Sequence, residues 1–448
     1  MGRLFGTDGI RGVANEYPMT PEMMAKVGKS VAIKFKTEGH SSIIIGRDTR
    51  LSGTMFENAL ITGICSIGTD VLLADIMPTP GVAFLTSALK ANAGIVISAS
   101  HNQFFDNGIK VFNQNGYKLS DETEDEIENL IFHNDKLSSV ISNNNTCSVS
   151  AIDSGLIRYS NFLKNALPNK VSFKGIKIVM DCSNGATYKI APALFADLGA
   201  EVEALNITPN GRNINENCGS EHIGSLVNKL LETKAYIGIA FDGDGDRLIA
   251  VDEIGNVLSG DKILAICATT MKKKGLLRNN HVVSTVMSNM GLGSLFKEKG
   301  INHTISKVGD RYVMLEMKKT GAVLGGEDSG HIIFSDYQTT GDGILTALKL
   351  IQCMKDESKL LSDLGNILTV YPQVLMNITV SRKPDIKDVQ ELSDAIDHVK
   401  KILGEKGRVL LRYSGTQPLC RVMVEGQSQT DTEKMCKFLA DKVKEYIG

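Results

Sequence analysis

Three times in this chain a short, nearly unbroken apolar run stops abruptly at glycine, aspartate or serine: Ile43-Ile-Ile-Gly-Arg-Asp48, Ile178-Val-Met-Asp-Cys-Ser-Asn-Gly185 and Val282-Val-Ser-Thr-Val-Met-Ser-Asn-Met-Gly291. A run that is apolar at successive positions has no solvent face. It reads as a strand covered on both sides, and the residue that ends it turns the chain toward a helix. The runs recur at intervals of more than 100 residues, which predicts three similar α/β units in series. Gly94-Ile-Val-Ile97, Tyr236-Ile-Gly-Ile-Ala-Phe241 and Ala322-Val-Leu324 are further strands of this kind. Polar residues with chemical potential follow each of them, where open α/β sheets bind their ligands.

The chain has 448 residues, and at roughly 100 to 200 residues per domain it divides into several compact units. A boundary is expected in the Asn- and Ser-rich stretch 138–150, others near 252–256 and 366–372. The resulting domains are 1–150, 151–254, 255–368 and 369–448. The last differs in texture: Val374–Val380 and Cys420–Glu425 alternate apolar and polar residues as half-exposed strands do, and amphipathic helices are expected at about 387–403 and 430–446. The acidic stretch Asp121–Glu128 reads as the solvated face of a helix.

Composition excludes several functions. Forty-nine Lys and Arg against 51 Asp and Glu leave a formal charge of −2, too balanced to grip nucleic acid or an anionic membrane. No Trp and only 6% aromatics leave little for base stacking. No apolar stretch is long enough to span a bilayer, and the N-terminus lacks the pattern of a signal peptide or, with Gly6, of a myristoylation site, so a cytoplasmic protein is expected. The eight cysteines contain no C-x-x-C pair and are expected to be free thiols.

Four loops carry chemistry. In Ile97-Ser-Ala-Ser-His-Asn-Gln103, Ser100 is a candidate nucleophile, although no Gly-x-Ser-x-Gly surrounds it and a helix or turn cap is the plain alternative. In Asp242-Gly-Asp-Gly-Asp-Arg247, alternating glycines let three carboxylates converge into a hard-oxygen cage for Mg²⁺ or Ca²⁺. A calcium EF-hand fails because Arg247 stands where its turn needs Gly and the flanks read as strands. In Gly325-Gly-Glu-Asp-Ser-Gly-His331, Glu327 and Ser329 are suited to hold hydroxyl groups. In Arg412-Tyr-Ser-Gly-Thr-Gln-Pro-Leu-Cys-Arg421, hydroxyls flanked by two guanidinium groups make a cradle for a phosphate monoester.

In this order the four loops resemble the α-D-phosphohexomutase superfamily over essentially the whole chain. Leu4-Phe-Gly-Thr-Asp-Gly-Ile-Arg-Gly12, Asp181-Cys-Ser-Asn-Gly-Ala186, Cys218-Gly-Ser220 and Lys307-Val-Gly-Asp-Arg-Tyr312 are similar to its bacterial phosphoglucosamine mutase branch. The resemblance implies three mixed α/β domains and a C-terminal α+β domain, TATA-binding-protein-like, around a central cleft. It implies a phosphoserine at Ser100, which with Asp242, Asp244 and Asp246 holds Mg²⁺. Arg11, His101, Lys110 and Arg247 match catalytic positions near it; Lys307, Glu327 and Ser329 match sugar-binding positions; Arg412, Ser414, Gly415, Thr416 and Arg421 match the loop on the non-reacting phosphate. The reaction implied converts glucosamine 6-phosphate to glucosamine 1-phosphate through a sugar bisphosphate, upstream of UDP-N-acetylglucosamine. The protein would act as a monomer or homodimer, with no nucleic-acid or membrane partner.

Three residues depart from that pattern. Gln103 replaces a proline and is expected to loosen the turn that presents Ser100. Gln417 replaces a glutamate beside the phosphate cradle, and Asp328 stands where the branch carries glutamine. A phosphomannomutase or phosphoglucomutase would use the same machinery on another sugar, and a metal-dependent phosphatase is a reading from a different reaction class.

Overall fold

The computed structural model describes residues 4–6, 8–133, 146–168, 171–413 and 418–448. The chain forms two compact units, Met1–Met287 with Ile301–Ile367, and Ser288–Gly300 with Leu368–Gly448. Among the described residues the strands form four sheets.

The first sheet contains β1 (Ile10–Val13), β2 (Ser42–Arg47), β3 (Asp70–Ile76), β4 (Ala93–Ile97), β5 (Asp106–Asn113) and β6 (Val149–Ala151), in the order β1-β5-β4-β2-β3-β6. The second contains β7 (Lys177–Asp181), β8 (Glu201–Leu205), β9 (Ile237–Phe241), β10 (Leu248–Asp252) and β11 (Val257–Leu258), in the order β11-β10-β9-β7-β8. The third contains β12 (His281–Thr285), β13 (Asn302–Ser306), β14 (Leu324–Gly326) and β15 (Ile332–Phe334), in the order β13-β12-β14-β15.

One plan repeats in all three. A first strand lies between the second and the third, all parallel, and a fourth returns antiparallel beside the third: β3-β2-β4-β5, β8-β7-β9-β10 and β13-β12-β14-β15. The three similar units read from the apolar runs are therefore present. The junction from third to fourth strand falls at residues 98–105, 242–247 and 327–331, the first three loops singled out above. Their bases are fixed because β4, β9 and β14 are buried at every position and each is hydrogen-bonded to a neighbouring strand on both sides.

One face of the first sheet is covered by two helices. Met24, Val27 and Val31 of the helix Pro21–Phe35 and Phe56, Leu60 and Ile64 of the helix Gly53–Cys65 pack with Ile43, Ile45, Ile95 and Ile97. Burying each such side chain contributes about 1.5 to 3 kcal/mol. The two helices approach so closely that a Cβ at Gly63 would lie 2.0 Å from the carbonyl oxygen of Ala25.

Three expectations are corrected here. Cys65 and Cys147 are joined in a disulfide, with Cα atoms 5.2 Å apart across 82 residues of sequence. The parallel pairing of β6 with β3 brings the second cysteine back to the end of the helix that carries the first, a proximity that local spacing does not reveal. The other six cysteines are free and buried. Secondly, the acidic helix Asp121–Phe132 is not merely a solvated face. Glu124 is buried and, with Asp121, pairs with Arg311, while Glu128 accepts the backbone N–H groups of Leu4 and Phe5 at 2.8 and 2.7 Å. Thirdly, the strand expected at Ala322–Leu324 runs Leu324–Gly326 instead. The N–H of Ala322 still bonds to the carbonyl of Met317 at 3.1 Å, closing the preceding helix after Gly321 in the left-handed region.

The second unit holds β16 (Gln373–Thr379), β17 (Arg408–Tyr413) and β18 (Leu419–Glu425) in the antiparallel order β16-β18-β17. The helices Gln390–Leu403 and Gln429–Ile447 bury Leu392, Val399, Leu439 and Val443 against Val422 and Val424, the half-exposed α+β arrangement expected from the alternation. Glu425, fully buried in this unit, accepts from the N–H of Met290 at 2.6 Å and pairs with Arg408 at 2.6 Å. Among the described residues no helix is long and apolar enough to cross a membrane. The stretch 134–145, in which much of the first boundary was expected, lies outside the described residues.

Candidate active site

Ser100 stands two residues past the first residue of its loop, in the left-handed backbone region with φ of 54°. Its N–H donates to Ser98 Oγ at 3.0 Å, and Ser98 Oγ donates to Asp48 Oδ2 at 2.6 Å. The side chain is buried, and its Oγ donates to Asp242 Oδ2 at 2.6 Å. His101 Nδ1 lies 3.4 Å from the same Oγ. Burial first, then the positive charge of Arg247, push the His101 pKa down to about 4, so the ring is neutral at pH 7.

Asp242, Asp244 and Asp246 are all buried, and they bring carboxylate oxygens within 4.8 Å of one another. No side chain could replace hydrogen at Gly243, where a Cβ would sit 2.6 Å from the Ser100 carbonyl oxygen and 2.8 Å from Asn215 Nδ2. Lys110, on β5, places its Nζ 2.7 Å from Asp244 Oδ2 and 3.0 Å from Asp246 Oδ2. Thr79 Oγ1 donates to Asp244 Oδ2 at 2.5 Å, and the N–H of Arg247 donates to Asp242 Oδ1 at 3.2 Å.

The electrostatics of the cage are uneven. Burial, reinforced by Asp246 and Asp244, raises the pKa of Asp242 well above the carboxylate range. Burial also works against the charge on Asp246, but Lys110, His331 and Arg247 outweigh it and lower that pKa. Lys110 is raised: burial opposes its charge and is outweighed by Asp244, Asp246 and Asp8. Asp244 Oδ1 and Asp246 Oδ1 are buried with no hydrogen-bond partner among the described residues. A cluster of hard oxygens, two of them unpartnered and one carboxylate disfavoured as an anion, fits a divalent cation.

The third loop meets the second through His331. Its Nε2 lies 3.9 Å from Asp246 Oδ2 and 3.4 Å from Asp310 Oδ2, and it accepts the N–H of Gly341 at 3.2 Å. The N–H of Leu248 donates to the carbonyl of Gly330 at 3.0 Å, tying the two loops by backbone. Glu327 Oε1 accepts the N–H of Gly309 at 2.9 Å, while Ser329 and Lys307 are exposed and Asp328 is half-buried.

Sequence reasoning assigned no role to Asp8, Lys118, Asp310 or His331, which extend the charged network. Lys110 lies 3.3 Å from Asp8 Oδ2; Arg11 and Lys118 also pair with Asp8, and Lys118 reaches Asp310 Oδ2 at 2.6 Å. Asp8 and Asp310 fall within the stretches 4–12 and 307–312 that carried the resemblance, which was the available signal. Arg50 and Asn215, which bind the Ser100 loop, gave no local signal. The loosening expected from Gln103 is opposed by its own side chain, whose Nε2 donates to the carbonyl of Asn215 at 3.2 Å.

In the second unit Arg412 and Arg421 stand directly opposite each other across β17 and β18. Ser414, Gly415, Thr416 and Gln417 lie outside the described residues.

Models of the phosphoglucomutase/phosphomannomutase family match the chain four times: α/β/α domain I at residues 2–138, domain II at 158–255, domain III at 259–371 and the C-terminal domain at 375–442. The phosphoglucosamine mutase of Syntrophus aciditrophicus is 55% identical over 451 residues, covering 100% of both chains. That of Syntrophobacter fumaroxidans is 53% identical over 449 residues, again covering 100% of both. Among solved structures, a phosphoglucomutase/phosphomannomutase family protein of Burkholderia thailandensis has the same fold, with a TM-score of 0.82 at 24% identity over 99% of this chain and 97% of that one.

Proposed function

We infer the chemistry of this site from the premise that the chain belongs to the phosphoglucomutase/phosphomannomutase family and, within it, to the phosphoglucosamine mutases, enzymes that move a phosphoryl group between positions of one sugar. The reaction is the interconversion of glucosamine 6-phosphate and glucosamine 1-phosphate. Ser100 is the phosphoryl carrier in this proposal. The observation that supports it most is the 2.6 Å contact of its Oγ with Asp242, which sets a hydroxyl against the carboxylate cage.

A divalent cation fits Asp242, Asp244 and Asp246 with the oxygen of Ser100, and we propose Mg²⁺, which favours few protein carboxylates plus substrate phosphate oxygens. Bound there, it would offset charge on the phosphoryl oxygens. The chain's own groups do the rest. Lys110, whose neighbours keep it protonated, and Arg247 and Arg11 supply positive charge beside the carrier, while His101 contributes a neutral ring.

The cycle balances without another reactant. In the first half the bond from phosphorus to Ser100 Oγ breaks as the oxygen of the free sugar hydroxyl bonds to phosphorus, and the hydroxyl's proton is taken up by Ser100 Oγ. In the second half the phosphate already on the sugar passes to Ser100, and the vacated sugar oxygen takes up a proton. We assign Glu327, Ser329 and Lys307 to the sugar hydroxyls. Arg412, Ser414, Gly415, Thr416 and Arg421 are assigned to the phosphate that is not reacting. Two arginines at one register position of β17 and β18 support an anion there.

The proposal keeps the division 1–150, 151–254, 255–368 and 369–448. It also keeps a cytoplasmic setting, in which Cys65 and Cys147 would be held as thiols. The deciding measurement is kcat/KM for glucosamine, glucose and mannose 6-phosphates, together with the mass of the intact protein before and after exposure to a hexose bisphosphate. Glucosamine 6-phosphate is expected to be the best substrate, with phosphate appearing on Ser100. A glucose phosphate preferred by about tenfold would move the protein to another branch, and an unmodified Ser100 would remove the carrier.

A further inference from the structure

Arg50 is a large cation with no exposed side-chain surface, and its two terminal nitrogens donate to backbone. Nη2 donates to the carbonyls of Ser100 at 3.0 Å and Asn102 at 2.7 Å, and Nη1 to those of Asp106 at 3.1 Å and Gln103. Its Nε donates to Asp48 Oδ2 at 2.8 Å. Asp48 thus holds both sides of Ser100. The N–H reaches it through Ser98 Oγ, and the carbonyl reaches it through Arg50. Asn215, which follows the second sheet's β8, adds a second grip: its Nδ2 donates to the carbonyls of Ser100 at 2.9 Å and Asn102 at 2.8 Å. The Asn215 N–H is itself anchored on the carbonyl of Ser183 at 2.9 Å.

None of these groups makes a hydrogen bond to Ser100 Oγ, and the charge of Arg50 is matched by Asp48. The arrangement therefore supplies direction, with little net field. Direction is what a left-handed serine lacks on its own, since φ of 54° is disfavoured for a residue with a Cβ and persists only when the surroundings impose it. We propose that Arg50 and Asn215 are positioning residues, which lock the Ser100 carbonyl so that the hydroxyl returns to the same aim in both halves of the cycle. The proposal rests on the reading of Ser100 as phosphoryl carrier. A displacement of about 1 Å in a reacting group lowers rates by roughly a hundredfold, so a carrier that must give and receive from one place is sensitive to such a lock.

The test uses Arg50→Lys, which keeps the charge beside Asp48 but loses the fork that spans several carbonyls, and Asn215→Asp, which is isosteric and turns an acceptor toward two carbonyl oxygens. Steady-state kinetics on glucosamine 6-phosphate are measured with the rate of Ser100 phosphorylation by glucose 1,6-bisphosphate, read by intact mass. The expected result is kcat lower by roughly ten- to a hundredfold, KM within about twofold of wild type, and phosphorylation of Ser100 slowed by the same factor as kcat. Should Arg50→Lys fail to fold, Asn215→Asp decides alone. The proposal is overturned if kcat of the folded variants stays within about twofold of wild type, or if the loss of activity only follows the loss of folded protein. A wild-type protein that takes no phosphate on Ser100 would instead sink the underlying reading, an outcome distinct from variants that are phosphorylated at the normal rate.

Discussion

Ser100 Oγ and Asp242 Oδ2 are 2.6 Å apart although 142 positions separate the residues in sequence. The contact couples the end of one sheet's third strand to the end of another's, and the hydrogen bond that Ser100 donates works against the burial that disfavours charge on Asp242.

Ser100→Ala removes that hydroxyl and little else, because the loop is held through backbone. The variant is expected to keep the wild-type Tm within a few degrees and to lose activity by roughly a thousandfold or more. Circular dichroism melting and a coupled assay check both halves. Turnover near the wild-type rate would remove Ser100 from the mechanism.

Cation removal is expected to act through Asp242, Asp244 and Asp246. Exhaustive chelation should lower kcat by about a hundredfold or more, with Mg²⁺ restoring it and Ca²⁺ restoring it poorly. A readout independent of turnover is the Tm, which should rise with Mg²⁺ concentration because the ion binds the folded cage. In Asp244→Asn the same titration should leave the Tm flat, and an unchanged rise would place the ion elsewhere.

His303 gives a pH dependence of known sign. Its Nε2 lies 2.8 Å from Ser284 Oγ, and burial, followed by the nearby His281, pushes its pKa down to about 4. Between that value and about 6.5 the unfolded chain binds the proton more readily than the folded one. Stability is therefore full above about pH 6.5 and declines as pH falls toward 4, by up to about 3 kcal/mol. Urea midpoints from pH 4 to 8 should show the acid loss reduced in His303→Gln, whereas curves that stay parallel to wild type would contradict it.

The Cys65–Cys147 bond closes a span of 82 residues, and such closure removes freedom mainly from the unfolded chain. Cys147→Ser is expected to lower stability by about 4 kcal/mol in oxidising buffer and by little once the wild type is reduced. Denaturation with and without dithiothreitol measures the difference. Equal midpoints in oxidising buffer would mean the bond does not contribute.

Much of this arrangement is legible from local pattern. Ile43–Ile45 and Ile237–Phe241 announce buried strands because both faces of their sheets are covered, and Asp242, Asp244 and Asp246 announce a cage because alternating glycines have few other uses. What escapes is whatever depends on return from a distance. Arg50 reads as an ordinary surface cation until residues 100–106 fold over it, and Asn215 comes from a loop that follows a strand of another sheet. Cys65 and Cys147 meet only because β6 returns beside β3. His331 was within a loop already singled out, but its value lies in Asp246 and Asp310, neither near it in the chain.

The thrice-repeated sheet plan has a consequence for how such a chain can change over time. Each repeat offers one bend, clamped at both ends by paired strands, whose wording is free while its position is not. Three bends on three copies of one frame permit specialisation by division of labour, and under the proposed function one bend keeps the carrier, a second the cation, a third the sugar. A lineage could then trade one sugar for another by rewriting residues 327–331, leaving the other two bends and every strand untouched.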